Sequence, residues 1–153
     1  MAAIARALGE WLAGLDGARA ADYRARASHS AERLEAAAHD ARVRLQGAQG
    51  VVLHHEDAIY FLDRFGIPLL GTLEPFPGVP PTASHLQALT DQLRGQSGII
   101  VRTPYQPADG ARMLASHLGW PVAVLPLEPS GDARLDAYLA LINRWVDTLA
   151  AKH

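Results

Sequence analysis

The stretch GVVLHHEDAIYFLDRFG, residues 50–66, determines the fold predicted for this chain. Its apolar start is followed by His54 and His55 and then directly by a segment with helical periodicity. A buried strand that opens into a helix is typical of a βα unit in a parallel sheet. Ligands of such folds bind at the carboxyl ends of the strands, so the two imidazoles mark the first candidate site.

Three more short apolar runs follow along the chain, and amphipathic segments separate them. The runs are residues 67–70, 98–101 and 122–125. The segments with helical periodicity are roughly residues 57–65, 83–94, 107–118 and 132–150. This alternation predicts an α/β fold with a four-stranded parallel sheet, flanked by helices and built from right-handed βαβ units.

The first part of the chain is rich in Ala, Arg, Leu and Glu and predicts helices only. Leu8, Trp11 and Leu15 recur on one apolar face of a first helix, and a turn at residues 16–17 separates it from a long helix ending near residue 46. The long helix has an apolar face made mostly of alanine, so we expect it to lie across a neighbouring layer. The sequence thus predicts a helical arm, residues 1–48, and an α/β lobe, residues 49–153.

Composition and charge exclude several classes of function. The chain is 49% hydrophobic and 20% charged, with a formal net charge of −2 and no basic face, so nucleic acid is not an expected partner. No apolar run approaches the roughly 18 residues of a membrane-spanning helix, and the first residues do not have the order of a secretory signal. The chain has no cysteine, which leaves imidazole and carboxylate as its strong metal ligands.

Parallel strands would gather several polar side chains at one edge of the sheet. Among these, His54 and His55 follow the first strand, Glu74 the second and Glu128 the fourth. An imidazole and a carboxylate from different strands would suit a divalent transition metal, with zinc or manganese favoured by ligand type. Zinc normally takes three or four protein ligands, so two side chains do not complete a site.

These residues also resemble a known family. HEDAIYF, residues 55–61, with FGI, residues 65–67, is similar to the motif of His, acidic residue, Ala, aromatic pair and Tyr-Gly-Leu in the metal-binding solute-binding proteins of bacterial zinc and manganese ABC importers. Later segments resemble the same family at residues 74–89, 99–119, 124–128 and 136–139. The resemblance covers the linking helix and the carboxyl-terminal lobe of that two-lobed family, and the amino-terminal lobe has no counterpart.

The resemblance implies a function and a site. Family members hold the ion between their lobes and deliver it to a membrane permease, which implies a location in the periplasm or at the cell surface. By motif position, His55 and Glu128 would be the metal ligands of this lobe. Two histidines that the family takes from its first lobe are missing, so we expect weak binding. Two departures are Arg102, where the family often has an acidic residue, and Trp145, where it often has Asn.

Each candidate ligand has a structural alternative. His54 would point to the face opposite His55, and it could bind metal only if the strand ended one residue early. Glu128 lies in a loop, where a solvated carboxylate is usual, and Asp132 competes with it but is equally well explained as a helix N-cap. Arg102 and Tyr105 could bind an anion, although a rim salt bridge and a packed aromatic are the expected roles. Surface positions are the default for His29, His39, His85, His117 and His153.

Two other classes of function remain open. His54, His55 and Glu56 with Glu128 could form a metal-dependent hydrolase site, but the chain has no His-Glu-x-x-His, no Gly-x-Ser-x-Gly and no Gly-rich phosphate loop. We therefore expect a binding protein that is not an enzyme. The chain could instead be a remnant domain with a structural or protein-interaction role. The apolar stripe of the first helix could also pair with a second copy as a homodimer.

Overall fold

The computed structural model describes residues 1–76, 78–129, 131 and 134–151. The helices are α1 Ala2–Leu15, α2 Ala20–Arg44, α3 Ile59–Phe65, α4 Ala83–Leu93, α5 Asp109–Leu118 and α6 Leu135–Ala150. The strands are β1 Gly50–Leu53, β2 Leu69–Thr72, β3 Gly98–Arg102 and β4 Val122–Val124. Two 3-10 turns, Gly17–Arg19 and Glu56–Ala58, precede α2 and α3.

The four strands form one parallel sheet in the order β2-β1-β3-β4. The predicted four-stranded parallel α/β fold is therefore confirmed. After β1 the chain adds β2 on one side, then returns to add β3 and β4 on the other side. The order thus reverses between β1 and β3, and this switch point is where open α/β sheets bind their ligands.

Apolar side chains alternate between the two faces of the sheet and form two hydrophobic layers. Val51 and Leu53 pack with α3 and α6, whereas Val52 points to the opposite layer with α4 and α5. All four residues of β1 are buried, as expected for a central parallel strand. This packing fixes the carboxyl end of β1 against its neighbours.

The second strand lies two residues later than predicted. Ile67 donates its backbone N–H to the carbonyl of Leu62, which closes the end of α3, and Gly66 adopts the left-handed cap. Pro68 has no N–H to give to a sheet, so regular pairing begins only at Leu69. The start predicted for the last helix, at Asp132, lies outside the described residues, and the described part of α6 begins at Leu135.

The helical arm consists of α1 packed closely on α2. Gly9 is buried at the crossing, where a Cβ atom would overlap the Cβ of Ala27 and lie 3.3 Å from the carbonyl oxygen of Tyr23. The long helix also packs on α6, since Ala41 and the residue that follows the helix, Leu45, belong to the core that includes α6. This arrangement agrees with the expectation that α2 lies across a neighbouring layer.

Two ion pairs join α2 to α6 along their outer surface. Arg33 contacts Asp136 at 2.6 Å, and Arg44 contacts Asp147. The outer face of α1 is exposed, with large side chains at least half accessible: Ile4, Leu8, Trp11 and Leu15. No helix in the described part of the chain has the length and apolar character needed to cross a membrane.

Candidate metal centre

His54 is buried between the two neighbours of β1. Its backbone N–H donates to the carbonyl of Val101, and its carbonyl accepts from the N–H of Glu74, so sheet-like pairing continues one residue beyond β1. The side chain is 1% exposed, and Nε2 lies 3.2 Å from Oε1 of Glu74. Nδ1 is buried without a hydrogen-bond partner among the described residues. The ring of His54 is therefore buried, although the residue also contributes to the lining of the cleft between the ends of β1 and β3.

His55 lies at the switch point with a partly exposed ring. Its extended backbone (φ −139°, ψ 164°) precedes the turn Glu56–Ala58, and its side chain is 26% exposed. Nδ1 is 3.0 Å from Oδ1 of Asp57, two residues later in the chain. Within the described part of the chain, the imidazole forms its hydrogen bond through Nδ1. Nε2 therefore remains available to a ligand.

The carboxylate of Asp57 is itself held by the loop that follows β3. Oδ2 of Asp57 accepts a hydrogen bond of 2.9 Å from Nε2 of Gln106, whose Oε1 accepts one of 2.7 Å from the backbone N–H of Thr103. The guanidinium of Arg102 donates to the backbone carbonyls of Thr103 and Gln106. These bonds connect the ends of β1 and β3 across the switch point.

A narrow cleft lies between these two strand ends. His55, Asp57, Thr103 and Gln106 contribute to its walls, and Leu127 contributes from the segment after β4. Glu128 is the next residue, and it is exposed. The structure therefore places His55 in the cleft and Glu128 beside a residue that lines the cleft.

Trp145 fixes the segment that carries Glu128. The indole N–H donates to the carbonyl of Pro126 at 2.8 Å, and the ring is only 4% exposed and packs against Phe61. The tryptophan that stands where the family often has Asn is thus a core residue that also lines the cleft. Its bond to Pro126 ties α6 to the segment after β4, in which Leu127 lines the cleft and Glu128 follows.

Several sequence-based expectations change in the structure. Arg102 binds backbone carbonyls of its own loop instead of forming a rim salt bridge, and Tyr105 is 73% exposed instead of packed. His85 is not a simple surface residue, because its Nε2 lies 2.9 Å from the carbonyl oxygen of Thr72 and connects α4 to the end of β2. Asp132, the competitor of Glu128, lies outside the described residues.

Sequence reasoning missed Asp57 and Gln106. The signal for Asp57 was its position two residues after His55, within reach of the same imidazole. Gln106 follows β3, at the edge where the argument already placed polar side chains. Its contact with Asp57 joins residues 49 positions apart, and no local pattern reports such a contact.

The chemistry of the cleft fits part of a transition-metal site. The partly exposed imidazole of His55 and the carboxylate of Asp57 in the same cleft are ligand types for zinc and manganese. Within residues 1–76, 78–129, 131 and 134–151 there is no group of three or more His, Cys, Asp or Glu side chains that could hold a metal ion.

A larger groove lies beside the cleft but has a different character. It has a volume of about 550 Å³ and is formed by α2, α3 and α6, with apolar walls that include Leu34, Phe61 and Ile142. Asp57 lines both concavities, but most of the groove offers no metal-ligand chemistry. We therefore assign the candidate centre to the narrow cleft.

Comparison with known proteins agrees with this fold. The sequence model of the family described as "Zinc-uptake complex component A periplasmic" (ZnuA) matches residues 1–152, and the chain belongs to this family. No curated protein sequence matches the chain. Among solved structures, the solute-binding protein FpvC from Pseudomonas aeruginosa in complex with Mn²⁺ is 27% identical, with a TM-score of 0.73. The match covers 95% of this chain and 56% of FpvC.

Two further structures extend the comparison. FpvC has also been solved in complex with Ni²⁺, again at 27% identity, a TM-score of 0.73 and coverage of 95% and 56%. A crystal structure of ZnuA is 18% identical with a TM-score of 0.77, covering 94% of this chain and 52% of that one, and it supports the fold alone. The resemblance to metal-binding solute-binding proteins is confirmed. The chain spans just over half the length of these proteins, consistent with one lobe.

Proposed function

We propose that the chain is a zinc- or manganese-capturing component of an ABC-type import system. In this proposal His55 and Glu128 are the metal ligands that the chain supplies. The observation that carries it is the partly exposed imidazole of His55 at the switch point, held through Nδ1 so that Nε2 is available. Zinc appears in the family description, and Mn²⁺ is bound by FpvC.

His54 takes a secondary place in the proposal. It adjoins the same cleft, but its Nε2 is paired with Glu74 and its ring is buried. An ion could use Nε2 of His54 only if this pair opened, which would leave Glu74 without its imidazole partner, and Nδ1 is buried. His55 and Glu128 are therefore the ligands to test first.

The proposed role is binding and transfer without chemical turnover. The family consists of solute-binding proteins, which are not enzymes. By this relationship the partner would be a membrane permease, and the location would be the periplasm or cell surface. We further propose that the helical arm, residues 1–48, links the lobe of residues 49–153 to the family's other lobe. Binding by this chain is expected to be weak, because two ligands give only part of the coordination free energy.

The decisive experiment is calorimetric titration of chelator-stripped protein with zinc, and in parallel with manganese. His55→Ala and Glu128→Gln should each weaken or abolish binding. His29→Ala, an exposed histidine on α2, is the matched control and should bind like the unmodified chain. No heat with either metal would refute the proposal, as would unchanged binding in His55→Ala.

The predicted homodimer is tested by light scattering on the same samples. The exposed stripe of α1 offers Leu8, Trp11 and Leu15 for pairing. One zinc ion per two chains, with a doubled mass, is the result expected if two copies share a site. A mass of one chain at saturating zinc would contradict the dimer without affecting the proposed ligands.

A further inference from the structure

A chain of hydrogen bonds runs from His55 through Asp57 and Gln106 to the backbone of Thr103. It bears on which ring nitrogen of His55 carries the proton. We propose that Asp57 and Gln106 are positioning residues that hold His55 in the tautomer protonated at Nδ1. Nε2 then keeps the lone pair that a metal ion requires. This inference rests on the proposed role of His55 as a ligand, but it concerns a property of the metal-free protein.

The first step fixes the orientation of the Gln106 amide. The backbone N–H of Thr103 can only donate, so the atom that faces it at 2.7 Å must be the amide oxygen. The NH₂ group then points to Asp57, where it donates to Oδ2 at 2.9 Å. Turning the amide over would replace both hydrogen bonds with mismatched pairs, so one orientation is strongly favoured.

The second step fixes the tautomer of His55. An ionised carboxylate only accepts hydrogen bonds, and Oδ2 of Asp57 already accepts from Gln106. Oδ1 lies 3.0 Å from Nδ1 of His55, so Nδ1 must be the donor. In the neutral ring the proton on Nδ1 leaves Nε2 unprotonated, with its lone pair available.

The third step explains why the network is well held. Thr103 is 4% exposed, directly after β3, and Arg102 donates to the carbonyls of both Thr103 and Gln106. The loop is therefore tied to the sheet at the residues that orient Asp57. Carboxylate partners of this kind orient metal-binding histidines and raise the basicity of the ligating nitrogen.

The inference is tested by the ring nitrogens of His55 in ¹⁵N-labelled, metal-free protein. Spectra recorded at about pH 8.5, above the usual titration range of histidine near 6.5, report whether Nδ1 or Nε2 carries the proton. Signals of His55 are assigned by their loss in His55→Ala. The unmodified chain should show the proton on Nδ1, and a proton mainly on Nε2 would overturn the inference.

Asp57→Asn is the most informative variant because it should reverse the tautomer. The amide of Gln106 would still donate to the Asn oxygen, so the Asn NH₂ would face His55 and require an acceptor at Nδ1. The proton would move to Nε2, and zinc affinity should fall by about 10–100-fold. Gln106→Leu should lower the affinity by less, since Asp57 still accepts from His55.

Asp91→Asn is the matched control, because Asp91 accepts hydrogen bonds from a glutamine, Gln87, on the exposed face of α4. It should change neither the tautomer of His55 nor zinc binding. A proton retained on Nδ1 in a folded Asp57→Asn protein, verified by circular dichroism, would overturn the inference even if zinc binds to the unmodified chain. Absence of binding of both zinc and manganese to the unmodified chain would instead refute the proposed function, while the tautomer result stands separately.

Discussion

The close crossing of α1 and α2 makes Gly9→Ala a sharp test of the packing of the arm. Gly9 is buried, and an added Cβ would overlap the Cβ of Ala27, which cannot rotate away. The same Cβ would lie 3.3 Å from the backbone oxygen of Tyr23. The two helices must therefore separate locally to accept a single methyl group.

The expected magnitude follows from two opposing effects. Replacing glycine by alanine inside a helix normally stabilises it by about 0.5–1 kcal/mol. Inserting an extra carbon into a packed contact costs about 1–3 kcal/mol. The backbone oxygen of Tyr23 and the Cβ of Ala27 cannot move without the backbone. We therefore expect the packing cost to exceed the gain in helix propensity, with a net loss of about 1–2 kcal/mol in the free energy of unfolding.

Gly14→Ala provides the control within the same helix. No atom lies within 4 Å of a Cβ built at Gly14, so only the propensity gain applies, at the lower end of its range near the helix terminus. Urea denaturation followed by circular dichroism measures both variants, and amide hydrogen exchange in α1 detects local opening. Stabilisation of Gly9→Ala equal to that of Gly14→Ala would refute the close-crossing argument.

Three further predictions concern the sheet, the arm and the cleft. Gly98→Ala would bring a Cβ within 2.7 Å of the backbone oxygen of Gly50, so the free energy of unfolding in urea should fall by about 1–3 kcal/mol. An unchanged free energy of unfolding would contradict the register of β1 and β3. The hydrogen bond from Arg6 lowers the pKa of Glu35 below its ordinary value of 4.5. The pair therefore stabilises the fold fully at pH values above 4.5, and this stabilisation is lost as the pH falls through the lower pKa of the folded state. Glu35→Gln should therefore have a lower thermal midpoint than the unmodified chain at neutral pH, and this difference should disappear in acid and shrink in high salt. Trp145→Phe removes the indole N–H that binds the loop after β4. This change should lower the free energy of unfolding in denaturant by about 1–3 kcal/mol and weaken zinc binding. An unchanged zinc affinity would show that this hydrogen bond does not position the loop.

The fold could be predicted because its signals are local. Four apolar runs and the helical periods between them indicated the parallel sheet, and Gly66 marked the end of α3 as expected. The predicted start of β2 was wrong because Ile67 follows α3 and closes its end instead of joining the sheet. An apolar residue suits either position, so the apolar run did not distinguish them. The use of Ile67 in capping α3 depends on the position of Leu62, which hydrophobicity alone does not report.

The candidate site was only partly predictable. The position of His55 follows from its place after a strand, but the different surroundings of His54 and His55 depend on residues far away in sequence. Glu74 pairs with His54 across 20 positions, and Gln106 reaches Asp57 across 49. Contacts between separate βα units are set by strand order, which a single sequence did not specify.

The ion pairs between α2 and α6 also show how the two helices are aligned with each other. Arg44 lies eleven positions after Arg33 on α2, and Asp147 lies eleven positions after Asp136 on α6. The two helices therefore run side by side in the same direction over about three turns, or about 16 Å. Sliding by one turn would break both pairs at once, so axial sliding is resisted more than rotation about the contact line. Trp145 lies on the same helix α6 and binds the segment that leads to Glu128, so we expect a displacement of α2 that keeps both pairs to move this side of the candidate cleft as well.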